Sequence, residues 1–335
     1  MFKTIKNALK TPDVRKRLWY TLVLIILFRL GCYITVPGVN TIVLNEAMTS
    51  NNGFAGFIDI ISGGAFSRFS IFAMSISPYI TSSIVVQLLA MVIPSLERMA
   101  KEGGEEGRKV MNRLTKIITI VLALVEAIGI YLGYRSSGVF INAGWLTGIL
   151  VVSSLVAGTS LLMWLGEQIT SKGIGNGISI IIFIGIISGL PSGITTIWKM
   201  IFTSTGFSTT GLITALGIII GALLLVAGVV FVQDAERRVP VQYSKKVVGR
   251  KMVGAQNTHI PLKLAMAGVM PIIFASSLLA FPQTIAMFMG ADAQKFVQTY
   301  LSPMQAPGVW IYRTLEILLI VFFSYFYTTV SFNTE

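Results

Sequence analysis

Eight apolar runs constrain this chain more than any other feature: roughly residues 18–35, 69–93, 117–134, 145–165, 174–190, 212–233, 262–282 and 309–331. Each is long enough to cross about 30 Å of hydrocarbon. Lipid offers no hydrogen bonds, so backbone groups there must be satisfied within the segment, and runs of this length predict helices. The expected fold class is therefore all-α: a polytopic helical membrane protein with eight spans present. Twenty of the 26 Lys and Arg residues lie in alternate connections: before the first span, between the second and third, at Lys172 between the fourth and fifth, and between the sixth and seventh. The opposite connections hold only Arg68, Arg135, Lys199 and Lys295. By the positive-inside rule both termini of this chain are expected in the cytoplasm. The net charge of +12 is then a topological signal, and no direct DNA binding is expected, because no folded soluble domain presents those cations.

Other function classes fall away on residue inventory. Only 12% of residues are charged and mean hydropathy is +0.77, which suits a membrane protein. One cysteine, Cys32, cannot form an intrachain disulfide, and a lone His259 cannot assemble a His-based metal site. The nearest approach to a phosphate-binding GxxxxGK[ST] loop is the charged GGEEGRK at 103–109, so nucleotide energy would have to come from a partner, and no cofactor is expected. No span offers a protease's acidic, zinc-binding or Ser/His constellation, and the chain is not expected to be an enzyme. The amino-terminal FKTIKNALKTPDVRKRLWY reads as a basic amphipathic helix on the cytoplasmic leaflet, and the first span, carrying Arg29 and no following small-x-small site, reads as retained.

The spans differ in character. The sixth is apolar all round and suits lipid, whereas the second carries Ser70, Ser75, Ser77, Pro78, Thr81, Ser82, Ser83 and Gln87. Gly268, Pro271, Ser276 and Ser277 interrupt the seventh. Such residues allow either close structural packing or the lining of a path. GFAGFIDIISGGAFSRFS (53–70) is too short and glycine-rich to cross; it fits a half-inserted helix on the outer side, or an amphipathic loop. Arg29, Glu126 and Glu316 fall inside spans one, three and eight, where a charge costs about 2.5–3.5 kcal/mol on insertion scales unless paired or watered. An ion-coupled secondary transporter would use them; three in eight spans, with no acidic pair in one helix, point instead to structural pairing or a cavity. Finally, MWLGEQITSKGIGNGISIIIF (163–183) joins two spans through Gly166, Glu167, Gln168, Lys172, Gly173, Gly175, Asn176 and Gly177, which leave little room for a lipid-facing helix before the isoleucines resume.

That stretch, together with SGGAFSRFSIFAMSISPYITSSIVVQLL (62–89) and the run ERRVPVQYSKK…GAQNTHIPLKLAMAGVMPIIFASSLLAFP (236–282), resembles the SecY family, the channel subunits of the bacterial protein translocase. The resemblance covers nearly the whole chain in order, spacing and topology. It implies a pseudosymmetric, passive protein-conducting channel that moves unfolded secretory preproteins across the plasma membrane of a bacterium and releases hydrophobic segments sideways into lipid. Members have ten spans, so a chain stopping at Glu335 after the eighth is expected to be a shortened one.

The resemblance also implies site residues. An apolar pore ring would use Ile76 and Ile80 of span two, Ile178 and Ile182 of span five, and Ile273 beside a Pro271 kink in span seven; each pair is four apart and so shares a helical face. A plug at about 53–68 would contain Phe57, Ile60, Ile61, Ser62, Gly63 and Gly64. The lateral gate, spans two and three against seven and eight, would carry Ser83, Gln87, Pro271, Ser276 and Ser277, with Ala265 standing where many members have a polar Asn. A cytoplasmic loop at 234–261, with Arg237, Arg238, Lys245 and Lys246, would dock the ribosome or the SecA motor ATPase. Further implied partners are the SecE and SecG subunits, signal sequences, nascent chains and membrane lipids. The division expected is an amino-terminal segment at 1–17, a first half at 18–190 and an incomplete second half at 191–335.

Overall fold

The structure is a computed structural model that describes residues 10–44, 59, 62–101, 103–135, 137–203, 206–241, 246–248, 251–253, 258–265, 267–301 and 308–331. Each of the eight apolar runs forms a helix, but the ends differ from those expected. In chain order the helices are α1 (Pro12–Gly31), α2 (Ser77–Val92), α3 (Pro94–Lys101), α4 (Gly104–Arg135), α5 (Trp145–Lys172), α6 (Gly177–Ile187), α7 (Leu190–Ile201), α8 (Thr209–Asp234), α9 (Met270–Met289), α10 (Ala291–Tyr300) and α11 (Gly308–Ser331). Five helical stretches among the described residues are long and apolar enough to cross a bilayer, and Ser77–Val92 and Met270–Ala286 are shorter apolar helices. The eight runs correspond to α1, α2, α4, α5, α6, α8, α9 and α11.

The first two spans are both shorter than their hydropathy suggests, for one shared reason. Residues 34–36 leave the helix to pair with 69–71: the Val36 amide donates to the Phe69 carbonyl at 2.9 Å, the Ile71 amide to the Ile34 carbonyl at 3.0 Å, and Thr35 bridges Ser70. Phe69 (φ 46°) and Ser75 (φ 52°) are left-handed, a conformation that no helix tolerates. Helix α2 therefore starts only at Ser77, with Pro78 in its first turn where a missing N–H costs nothing. At 16 residues it is about 24 Å long. Ile76 is its N-cap rather than a residue of its face, although the Ile80 amide still donates to the Ile76 carbonyl at 3.0 Å.

The fourth span differs in the opposite sense. Residues 166–172 are not a connection: α5 continues through Gly166, Glu167, Gln168 and Thr170 to Lys172, and only 173–176 form the turn. Glycine at 166 serves close approach rather than chain reversal: a Cβ there would come within 3.0 Å of the Ile178 side chain, and a Cβ on Gly177 would collide with the Gly166 carbonyl oxygen. The Thr170 hydroxyl donates to the Gly166 carbonyl at 2.8 Å and accepts the Gly177 amide at 2.9 Å, tying α6 to α5. Asn176 caps α6, its side-chain oxygen accepting from the Ile178 and Ser179 amides at 3.1 and 3.3 Å. The turn also docks on α1, where the Ile174 amide donates to the Thr21 hydroxyl at 3.2 Å and the Tyr20 hydroxyl to Gln168 at 3.1 Å.

The seventh span is displaced along the chain. Residues 258–263 form strand β6, paired antiparallel with β3 (Glu236–Val241), so that Arg237 faces Leu262 and Arg238 faces Pro261 in register. Gly268 (φ +57°) precedes a helix that begins at Met270 and runs to Met289. Pro271 is thus the second residue of α9 and does not kink it; the proline inside the helix is Pro282. The loop at 234–261 is accordingly part of a β-hairpin, an element absent from the all-α expectation, with a second short antiparallel pair, β4 (Lys246–Val248) and β5 (Lys251–Val253). A further two-residue pair, β1 (Phe202–Thr203) with β2 (Gly206–Phe207), follows α7.

Two compact units can be distinguished, Met1–Pro191 with Ile273–Ile320, and Ser192–Ile272 with Val321–Glu335. The core lies in the first. One cluster gathers Val36, Phe66, Phe69, Met74, Ala123, Ala127, Ile130, Tyr131, Val151 and Leu155, and another joins Leu24, Phe28, Cys32, Phe72, Ile76, Leu162, Leu165, Ile169 and Ile181. Close approach at glycine makes this possible: a Cβ on Gly158 of α5 would strike the Ile71 carbonyl, and one on Gly31 the Phe72 ring. In the second unit, α8 buries only Ala215, in keeping with a helix that is apolar all round and meets lipid.

Candidate seal and plug site

The candidate site is built from α1, the strap at 62–76, and the beginnings of α2 and α6. Ile76 is 1% exposed and belongs to the second cluster, and Ile80 and Ile178 pack against it half-buried. Three of the five ring isoleucines expected from the sequence are thereby brought into one apolar body. Ile182 is half-buried on α6 outside that cluster, and Ile273 is half-buried near the start of α9. Branched aliphatic side chains packed this way hold together by dispersion and exclusion of water, without hydrogen bonds between them.

Of the expected plug residues, Phe57, Ile60 and Ile61 lie outside the described residues, whereas Ser62, Gly63 and Gly64 form a turn with Gly63 at φ +67° and Gly64 at φ +81°. Asp59, which sequence reasoning did not single out, organises that turn. Its carboxylate accepts the Ser67 amide at 2.8 Å, and its carbonyl accepts the Gly64 amide at 2.9 Å and the Ser62 hydroxyl at 3.1 Å. The Ser62 hydroxyl in turn accepts the Phe66 amide at 3.2 Å. An Asp eight residues before the amide that donates to it leaves no periodic signal in the sequence.

Three of the expected gate residues, Ser83, Gln87 and Ser276, bond within their own helices. Gln87 donates to the Ser83 hydroxyl at 3.2 Å on α2, and the Ser276 hydroxyl donates to the Ile273 carbonyl at 3.0 Å on α9. Pro271 and Ser276 are buried and Ser277 is half-buried. On the hairpin Arg237 and Arg238 are exposed, Lys246 opens β4, and Lys245 lies outside the described residues. Among the charges read inside spans, Glu316 pairs with Arg313 at 2.9 Å on α11, and Arg29 donates to the Gly63 carbonyl at 3.2 Å. Lys116 and Glu167 join α4 to α5 at 2.6 Å.

This architecture has solved counterparts. A protein conducting channel shares it with a TM-score of 0.61 at 20% identity over 95% of this chain and 75% of that one. A SecY protein whose plug domain stabilises the closed state does so with 0.61 over 93% and 71%. The fold is therefore the helical membrane-channel fold of those solved structures. The SecY family model matches residues 70–335. The SecY translocase subunit of Halalkalibacterium halodurans is 44% identical over 344 residues, covering 100% of this chain and 78% of that protein, and that of Rickettsia typhi is 43% identical over 329, covering 96% and 74%. This chain belongs to the SecY family. The relatives are translocase subunits, and nothing in the comparisons favours the ion-coupled transporter.

Proposed function

We propose that the chain is the channel through which unfolded secretory preproteins cross the plasma membrane of a bacterium, and from which hydrophobic segments pass laterally into lipid. One observation carries this reading. The isoleucines at 76, 80 and 178, which the family resemblance assigns to the pore ring, converge from two helices on a single apolar cluster beside the 62–64 turn. Ile182 and Ile273 complete the ring when α6 and α9 take part in the pore. Residues 53–68 act as the plug, Ser83, Gln87, Pro271, Ser276 and Ser277 lie along the lateral gate, and both termini of this chain are cytoplasmic. The chain works as a passive conduit, with SecA or the ribosome supplying the drive at the hairpin and SecE and SecG completing the complex. A structural neighbour seen as Sec61 in a canine ribosome-channel complex, at 20% identity, is consistent with such docking.

Crosslinking tests the reading. A photoreactive probe at Ile76 or Ile178 should label a secretory preprotein jammed in transit. Labelling absent at both sites, with jamming independently verified, would remove the pore assignment.

A further inference from the structure

Arg29 is a cation inside an apolar span that the channel reading leaves without a task. It sits in the last turn of α1, half-buried, and among the described residues no carboxylate pairs with it. Its Nη1 instead donates to the carbonyl of Gly63 at 3.2 Å. The opposite wall of that contact is the end of α6. The Ser188 hydroxyl lies 2.6 Å from the Gly185 carbonyl, to which it donates, and 3.4 Å from the Gly63 carbonyl. Gly63 fills a slot sized for glycine: a Cβ there would come within 2.7 Å of the Gly185 carbonyl and 2.8 Å of the Arg29 guanidinium. A second tie joins the same two segments, since the Arg68 guanidinium stacks 4.2 Å from the centre of the Tyr33 ring and that of Arg29 lies 5.9 Å from it.

We infer that Arg29, supported by Ser188, is a positioning residue that latches the plug turn at Gly63 between α1 and α6. The proposal rests on the reading of residues 53–68 as the plug. Apolar contacts in the neighbouring cluster have no direction and would allow the turn to slide, whereas a charged donor aimed at one carbonyl sets a single depth and orientation. Withdrawal of the turn strips the guanidinium of this acceptor within apolar surroundings, so the empty seat is disfavoured and the turn returns after each passage. Displacement by a translocating chain would be helped if that chain's own carbonyls replaced Gly63 at the guanidinium.

The experiment uses the complete translocase in vesicles and reads resting ion leak with a chloride-sensitive dye, alongside export of an ordinary preprotein. Arg29→Met should raise the resting leak about tenfold, the scale of one lost hydrogen bond to a charged group, with export changed by less than about twofold. Arg29→Lys, which keeps a cationic donor, should leak clearly less than Arg29→Met. Ser188→Ala, a milder change that leaves the helices intact, should raise the leak about threefold. A vesicle as tight as the unaltered one in both Arg29→Met and Ser188→Ala overturns the latch, provided that deletion of 53–68 leaks. Should the deletion also stay tight, the plug reading itself fails, and the latch with it.

Discussion

Gly177 at the start of α6 lies so close to Gly166 of α5 that a single added methyl group would overlap the Gly166 carbonyl oxygen. The neighbour is backbone, held by the Thr170 hydroxyl, and cannot turn aside. Position 177 therefore sets how closely Ile178, proposed for the pore ring, approaches α5. Gly177→Ala should destabilise the protein by about 1–3 kcal/mol through overpacking. Thermal unfolding in detergent micelles measures this, and a melting point equal to that of the parent would show that the interface yields.

Asn176 supplies the missing acceptors for the first amides of α6. Asn176→Ala should cost about 1 kcal/mol, while Asn176→Asp, which keeps a capping oxygen, should cost less than half as much. The order of the two variants in a thermal or denaturant series is the decisive comparison. An Ala variant as stable as the Asp variant would mean that the tie from Thr170 holds the turn unaided.

The Lys116–Glu167 pair is short, yet both side chains are 40% exposed. Water and salt screen such a pair, so neutralising either member should change stability by no more than about 1 kcal/mol, and less in high salt. A double-mutant cycle with Lys116→Met and Glu167→Gln reads the coupling directly. Coupling well above that ceiling would imply a drier environment than the pair has in isolation.

Arg237 and Arg238 are neighbours on β3 and both are exposed. As adjacent strand residues they point to opposite faces of the hairpin, so one rigid partner surface meets them unequally. Replacing both by Glu should weaken binding of ribosomes and of SecA to membranes at least about tenfold, the scale of a lost charge-assisted contact, and a single reversal should harm one partner more than the other. Unchanged affinity for both partners would leave the arginines with a topological role alone.

Hydropathy alone was sufficient for the class of this protein, because lipid removes every alternative to a hydrogen-bonded helix over about 30 Å. The existence and order of the eight helical runs, and the resemblance carried by 62–89, 163–183 and 236–282, needed no coordinates. Helix ends did need them. Ile34 and Ile71 look equally suited to lipid, yet they leave their helices because their backbones pair with each other, a contact between residues 37 apart that no local pattern encodes. Gly166 and Gln168 look like loop residues, yet they are helical because Gly177 and Tyr20 arrive to pack on them. Arg29 and Gly63 show the same division most clearly. The sequence by itself marked one as a costly charge and the other as part of a glycine-rich stretch too short to cross, and only the tertiary structure, by bringing α1, the strap and α6 together, made each the partner of the other.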